Sequence, residues 1–229
     1  MIDPLDEGFR YGRGAFETVR VSRGRALLRA EHVDALKEAA VALGLDSSRI
    51  EPGDPPADSG FWRWILTPRQ FLTLWVDEGV EEVVGVELGL SRLRVCSTAW
   101  ESRHKTLSYL LQIQAREESV TGRDVLLNEN GHMAGATMAN LFWVRDGRVF
   151  TPSRDCGCRN GAVRRWILRN TPDLAEVAES PAVLDGADEI FLTNSRLGIV
   201  PVLRWQGMTC NTGPVTLGLR GRLLEAWNG

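Results

Sequence analysis

The sequence has no large excess of charge of either sign. Lysine and arginine together number 27 and aspartate and glutamate 30, which leaves a formal charge of −3. A nucleic-acid partner requires a clustered basic surface. The densest basic stretch, residues 159–169, is interleaved with apolar residues and is better explained as a single helix. The composition therefore indicates no nucleic-acid partner.

The sequence also lacks a long hydrophobic run, a secretory leader and a paired-cysteine metal motif. No apolar run approaches the ~20 residues of a membrane helix, and the opening MIDPLDEGF is acidic and broken by Pro4. We therefore expect a cytoplasmic protein with no membrane contact and with reduced thiols. Cys156 and Cys158 form a lone CxC motif, so buried or loop thiols are expected and a metal site is not.

Common catalytic and nucleotide-binding motifs are absent. The sequence has no HExxH motif and no Ser/His/Asp order, and Gly12 and Gly14 precede a strand rather than the helix of a nucleotide-binding motif. These two glycines indicate a tight turn or a close backbone contact. Repeats and low-complexity segments are also missing, and 229 residues suffice for one large domain or two modest ones.

The apolar patterns predict an α+β chain of two lobes, because strands and helices mix without a regular βαβ rhythm. The predicted lobes are residues 1–79 and 80–229, with the acidic segment Asp77–Glu82 as their link. Predicted strands cover residues 15–21, 61–66, 71–76, 86–95, 125–127, 141–144, 149–150 and 187–195. Predicted helices cover residues 32–45, 106 onward, 162–169 and 219–227.

Lys105, in ESRHKTLSYLL, is a candidate nucleophile. Arg103 and His104 precede it, and Tyr109 follows one predicted helical turn later on the same side. Cationic neighbours in a partly dry cleft lower the proton affinity of a lysine and make its amine reactive. The alternative is an ordinary surface lysine at a helix start, which this segment taken alone favours.

Two segments are candidates for binding phosphate. CGCRNGAV leads into a helix whose first backbone N–H groups are free for an anion, and Thr193, Asn194 and Ser195 end a strand. An ordinary loop and an ordinary turn are the alternatives. In NENGHMAGATMANLFWV, the small or unbranched residues 135–139 indicate that a cofactor lies against the backbone.

Taken in order, these segments resemble the class IV aminotransferases, pyridoxal phosphate enzymes of fold type IV. The matching segments are GFRYGRGAFETVRV, KTLSYL, LLNENGHMAGATMANLFWV, DGRVFTP, CGCRNGAVRRWIL and ADEIFLTNSRLGIVPV. The family includes branched-chain and D-amino-acid aminotransferases and aminodeoxychorismate lyase, and the motifs look most like the lyase. The resemblance implies a small N-terminal α/β lobe, a larger α/β-barrel-like lobe, a small amino substrate and a homodimer.

The resemblance also assigns roles to residues. It makes Lys105 the lysine that forms the internal aldimine and the base that moves the α-proton. It places Tyr109 beside the cofactor ring and Arg20 on the substrate side of the pocket. The implied phosphate site consists of Gly161, Ala162 and Val163 on one side and Asn194 and Ser195 on the other.

The sequence departs from the family at two cofactor anchors. Gly135 stands where the family has a glutamate that pairs with the pyridine nitrogen, and Ala35 replaces the phosphate-binding arginine of the HxxRL pattern. Together the two losses could cost ~3–6 kcal/mol. Arg29 is the candidate replacement for the missing cation. The segment 45–61 is also short for the family, which indicates a first lobe that lacks a helix.

Three hypotheses follow. The first is a pyridoxal phosphate enzyme of the aminodeoxychorismate lyase or aminotransferase kind that acts through Lys105. The second is a degenerate relative that has lost its cofactor anchors, as Gly135 and Ala35 indicate, and binds another ligand or a partner protein. The third is a variant with racemase-like or elimination activity on an unprotonated pyridine ring.

Overall fold

The computed structural model describes residues 3–76 and 83–228, which form two lobes, each built on its own sheet. This mixture of strands and helices confirms the predicted α+β fold of two lobes. The predicted link Asp77–Glu82, and with it the predicted boundary between residues 79 and 80, lies outside the described residues.

The small lobe is an antiparallel sheet with a helix packed on it. Its elements are α1 (Glu7–Tyr11), β1 (Ala15–Ser22), β2 (Arg25–Ala26), α2 (Arg29–Ala42), β3 (Gly60–Leu66) and β4 (Phe71–Val76). The sheet order is β2–β1–β3–β4, and the predicted strands 61–66 and 71–76 pair with each other as β3 and β4. Trp62 and Trp64 lie on β3 beneath α2 and are buried, which assigns these tryptophans to the core.

The connection from α2 to β3 is short and mostly irregular. Between residues 43 and 59, all of which the structure describes, the chain forms one 3-10 turn, Ser47–Arg49. The segment therefore contains no second α-helix, as its length predicts.

The larger lobe is built on a mixed sheet that is curled into a half-barrel. Its strands are β5 (Val86–Val95), β6 (Asp124–Asn128), β7 (Met133–Ala136), β8 (Asn140–Arg145), β9 (Arg148–Pro152), β10 (Ala175–Val177), β11 (Glu189–Asn194), β12 (Gly198–Trp205) and β13 (Met208–Thr209). Its helices are α3 (Trp100–Arg103), α4 (Leu110–Glu118), α5 (Ala162–Asn170) and α6 (Pro214–Asn228). The strand order is β10–β9–β8–β11–β12–β5–β6–β7, with β13 beside β12.

Both faces of the larger sheet are buried at its centre, around β8. Successive residues of β8 enter opposite apolar clusters, Leu141 on one side and Phe142 on the other. The ring of Phe142 stacks on that of Phe191 with centroids 4.9 Å apart, and α5 and α6 cover this side. The sheet is therefore a rigid support for the loops at its edge.

Three predicted helices are present with shifted ends. Helix α2 begins three residues before the predicted start, α5 extends one residue beyond the predicted end, and α6 begins five residues early. The prediction of a helix from Thr106 was wrong at its start, because α4 begins only at Leu110.

The segment Lys105–Leu107 is extended because it pairs with the entry to β1. The Lys105 carbonyl accepts a hydrogen bond from the Phe16 N–H at 2.9 Å, and the Leu107 N–H donates to the Gly14 carbonyl at 2.9 Å. A Cβ at residue 14 would lie 2.6 Å from Leu107 Cδ1, so glycine permits this approach. The pairing therefore fixes Lys105 at the boundary between the lobes.

Candidate active site

A cavity lies between the two lobes, and both contribute to its wall. Its volume is about 120 Å³, roughly ten times the space that one water requires. Residues 134–140 border it, as the small residues of that segment predict. Among the described residues that line it, the charged side chains are Arg103, Lys105, Arg159 and Arg165 against Glu17 and Glu38. This positive balance favours an anionic ligand.

Lys105 borders the cavity and is half-buried. Its Nζ lies 4.9 Å from the ring centroid of Phe16, a residue of β1. The extended backbone of residues 105–107 holds its Cα between the lobes. Lys105 thus lies in a cleft, although it reaches that place on an extended segment rather than on a helix.

Glu17 is the buried acid beside Lys105. It is 5% exposed, and its Oε2 lies 2.7 Å from His32 Nδ1. Burial raises the pKa of the Glu17 carboxyl, but the Lys105 ammonium and the His32 hydrogen bond outweigh it and hold the pKa below its usual value. His32 Nε2 lies 3.2 Å from Ser195 Oγ, so this chain of contacts links both lobes.

Tyr109 lines the cavity beside Lys105, as the resemblance implies. Its ring meets Phe16 edge-on at 5.2 Å, and the Arg159 guanidinium lies 4.7 Å from the ring centroid. Burial raises the pKa of the Tyr109 hydroxyl, but the positive charges of Arg159 and Lys105 bring it below its usual value. Tyr109 is therefore held rigidly as a polar wall of the cavity.

The N-terminus of α5 reaches the same cavity. Gly161, Ala162 and Val163 all line it, and Gly161 is the N-cap with no side chain hydrogen-bonded to the helix start. Asn140 holds the preceding loop, because its Nδ2 donates to the Arg159 carbonyl at 2.6 Å. The first N–H groups of α5 are thus directed at the cavity by a fixed loop, a geometry suited to phosphate.

The loop after β11 closes the opposite side of the cavity. Thr193, Asn194 and Ser195, the predicted strand end, line it. Thr193 Oγ1 is buried and has no hydrogen-bond partner among the described residues. The Asn194 side chain is instead occupied by its own turn, since its Oδ1 accepts from the N–H groups of Arg196 and Leu197. The free polar group on this side is therefore the Thr193 hydroxyl.

A cation stands near the position of the missing arginine. Ala35 borders the cavity on α2, and Arg165 borders it from α5. Arg165 forms an ion pair with Glu38, one helical turn after Ala35, and its Nε donates to the Asn160 carbonyl at 2.9 Å. Because α2 packs against α5, the Arg165 guanidinium lies in the part of the cavity that Ala35 also borders. A longer side chain at residue 35 would extend into the same region.

Two arginines expected near the pocket lie elsewhere. Arg29 donates to the Gly53 carbonyl at 2.6 Å and packs over Trp64, so the expectation that it replaces the missing cation was wrong. Arg20 packs 4.8 Å over the ring of Trp227 and does not border the cavity. Its proposed role in substrate binding therefore has no support from the geometry.

The backbone conformation at Gly135 disfavours any residue with a side chain, including the glutamate of the family. Its φ is +144°, a conformation that side chains of L-amino acids rarely adopt. A Cβ at this position would lie 3.2 Å from the Ala139 carbonyl, which also accepts a hydrogen bond from the Ala136 N–H. A glutamate here would therefore strain the turn.

Sequence patterns did not single out Glu17, Gln112, Arg159 or Arg165, all of which border the cavity. The basic run 159–169 could have indicated Arg159 and Arg165, but its residues divide between cavity, core and surface. Arg164, for example, is fully buried and pairs with Glu176. Gln112 gives no sequence signal at all.

The described residues contain neither a group of three His, Cys, Asp or Glu side chains that could hold a metal nor a helix long and apolar enough to cross a membrane. Cys156 and Cys158 are buried and unpaired. Burial raises the pKa of the Cys158 thiol above its usual value, so this thiol is poorly reactive.

Replacing Glu17 by glutamine is expected to lower the free energy of unfolding at pH 7 by about 2 kcal/mol, since a charged hydrogen bond is lost. Because the pKa of Glu17 is depressed from 4.5, its stabilisation is complete above pH 4.5 and is lost as the pH falls further. The gap between variant and wild type should therefore narrow below pH 4.5. Urea unfolding at several pH values measures this difference in the free energy of unfolding, and Glu51→Gln, at an exposed residue, is the control. A difference that stays constant below pH 4.5 would contradict the expectation.

Comparison with known proteins shows the family of this chain. A family model for amino-transferase class IV matches residues 72–205. Aminodeoxychorismate lyase of Vibrio harveyi is 27% identical over 86% of this chain and 84% of its own. The crystal structure of 4-amino-4-deoxychorismate lyase from Pseudomonas aeruginosa has a TM-score of 0.87 and 26% identity, over 98% of this chain and 95% of that chain.

A hypothetical aminotransferase from Mycobacterium tuberculosis, solved in its PLP-bound form, shares the fold. Its TM-score is 0.82 at 18% identity, and the match covers 99% of this chain and 93% of that chain. The family match runs from β4 of the small lobe to β12 of the larger lobe, and it includes Lys105, the turn at Gly135 and the start of α5. The chain belongs to the amino-transferase class IV family.

Proposed function

We propose that this protein is a pyridoxal phosphate enzyme that acts on a small amino substrate through Lys105, in the manner of aminodeoxychorismate lyase. One observation carries the proposal. Lys105 borders the cavity between the lobes, and the N-terminus of α5 borders the same cavity. An amine for an aldehyde and a cradle for a phosphate thus face the same space.

The residues present fit the cofactor at two of its three anchor points. Lys105 would hold the cofactor through its amine, at the aldehyde group. The backbone of Ala162 and Val163, with the Thr193 hydroxyl, receives the phosphate. The third point, the ring nitrogen, has no carboxylate at residue 135. Bound there, pyridoxal phosphate supplies an electron sink for charge on the α-carbon of the substrate.

Lys105 would also act as a general base. Its side chain borders the cavity, where the amine would take a proton from the α-carbon of the substrate. Glu17 keeps the amine in position by its charge, and the rings of Phe16 and Tyr109 restrict water around it. Elimination and transamination would both require this proton transfer, and Lys105 would be the base in either reaction.

We favour the lyase over the aminotransferase because the sequence motifs look most like the lyase, and lyases of Vibrio harveyi and Pseudomonas aeruginosa match most of this chain. A putative branched-chain-amino-acid aminotransferase of Methanocaldococcus jannaschii matches 98% of this chain at 26% identity, so product analysis decides between the two reactions. The degenerate hypothesis keeps one specific observation in its favour, the glycine at residue 135 whose backbone disfavours a carboxylate. A measurement of cofactor binding therefore decides between a pyridoxal phosphate enzyme and a degenerate relative.

Borohydride reduction of the protein with excess pyridoxal phosphate should attach the cofactor to Lys105. The chain has one other lysine, the exposed Lys37, so peptide mass mapping identifies the site without ambiguity. Lys105→Ala should abolish the labelling and lower turnover of 4-amino-4-deoxychorismate at least about a hundredfold, while Lys37→Arg should change neither. Labelling of Lys37 alone, or no labelling, would favour the degenerate relative, and transamination without release of an aromatic amine would reassign the reaction.

Arg165 should recognise the phosphate rather than the ring. Arg165→Gln is expected to weaken pyridoxal phosphate about tenfold or more, because a charge-assisted hydrogen bond is lost. Binding of pyridoxal, which has no phosphate, should be unchanged. Arg169→Gln is the control, since Arg169 is an exposed residue of the same helix that pairs with Glu31. Equal effects on both ligands, measured by tryptophan fluorescence, would contradict the assignment.

We also propose that the protein is a homodimer. Support comes from apolar side chains exposed on α1 and on the segment around Lys105: Phe9, Tyr11, Trp100 and Leu110. Exposed groups of this kind mark interaction surfaces. Sedimentation velocity should show a dimer at micromolar concentration and a shift to monomer in Leu110→Glu. Val41→Glu, at another exposed apolar site, should remain dimeric, and a monomeric wild type would refute the proposal.

A further inference from the structure

Gln112 is a buried amide that lacks a partner. It stands in the first turn of α4 and is 3% exposed, and its Oε1 has no hydrogen-bond partner among the described residues. Burying an amide without a hydrogen bond is unfavourable, so such groups are uncommon in folded proteins. The side chain borders the cavity, which indicates that its partner is a ligand.

Gln112 lies at the same end of the cavity as Gly135. Ala115, one helical turn further along α4, packs in one cluster with Leu126 of β6 and Ala134 of β7. Leu126 is paired with Gly135 across these two strands. Gln112 therefore approaches from α4 the same strand pair that the family uses to meet the ring nitrogen.

No carboxylate competes for this place. The described acids that line the cavity are Glu17 and Glu38, and both are occupied: Glu17 by His32 and Lys105, and Glu38 by Arg154 and Arg165. These acids also belong to β1 and α2, in the other lobe. The Gln112 amide is thus a buried polar group without a partner that approaches the Gly135 side.

We infer that Gln112 binds the ring nitrogen of the cofactor and does so as a hydrogen-bond donor to an unprotonated pyridine. The inference rests on the proposed function and specifies how the ring is held. A half-turn of the terminal torsion places NH₂ where Oε1 now stands, because the two amide atoms are sterically equivalent. The N–H then points to the lone pair of the nitrogen.

The charges around the cavity favour this protonation state. Four cationic side chains against two carboxylates border it, and a positive surrounding disfavours a further positive charge on the ring. A neutral amide stabilises a pyridinium far less than a carboxylate does. The ring is consequently a weaker electron sink, which suits elimination with a good leaving group better than a reaction that depends on long-lived carbanion charge.

The test compares Gln112→Leu and Gln112→Glu with Gln114→Leu, a control at an exposed glutamine of the same helix. Without cofactor, Gln112→Leu should raise the melting temperature, because it removes a buried unpaired amide. It should also weaken pyridoxal phosphate about tenfold while leaving inorganic phosphate unaffected. Gln114→Leu should do neither.

Nitrogen NMR of the wild type with ring-¹⁵N pyridoxal phosphate should show an unprotonated nitrogen, and Gln112→Glu should move the resonance to the pyridinium range. If the wild type binds the cofactor at Lys105 but the Gln112 variants match Gln114→Leu in affinity and resonance, the inference is overturned and the proposed function stands. If the wild type binds no cofactor, both the inference and the proposed function are refuted. A lower melting temperature in Gln112→Leu with equal loss of both ligands would show a structural role and also overturn the inference.

Discussion

The buried contact between Glu17 and His32 is the interaction on which the site depends. Glu17 comes from β1, His32 from α2, and Ser195 from the loop after β11, so one chain of contacts joins the small lobe to the larger one. A buried carboxylate is costly unless it is paired, and here the Lys105 ammonium lies near it in addition to the His32 ring. Folding of the small lobe therefore places a charge that determines where the lysine amine lies.

The cavity combines groups from separate elements, and this accounts for the two departures from the family pattern. Helix α5 presents both its N-terminus and Arg165, and α4 presents Gln112. In the proposed function the cation missing from residue 35 is supplied across the contact between α2 and α5. In the further inference, the polar contact missing from residue 135 is supplied by Gln112 of α4. The same ligand is then held by a different set of elements.

Local patterns predicted most of the fold but only part of the site. Alternating apolar residues were sufficient to predict the strands, because that signal is local. The extended conformation of Lys105 was missed because it depends on pairing with Gly14, far away in sequence. The positions of Gln112 and Arg165 at the cavity could not be predicted from the sequence for a similar reason, because packing decides which side chain of a helix faces a cavity. Arginines such as Arg29 were misplaced because tryptophan rings bind them elsewhere.

The most direct test of the account is a crystal structure of the protein soaked with pyridoxal phosphate. The account predicts continuous electron density from Lys105 Nζ to the cofactor, with the phosphate at the first turn of α5 and the ring nitrogen facing α4. Density in which the cofactor lies outside the cavity, or in which the Lys105 amine stays separate while the cavity holds packed side chains, would contradict it.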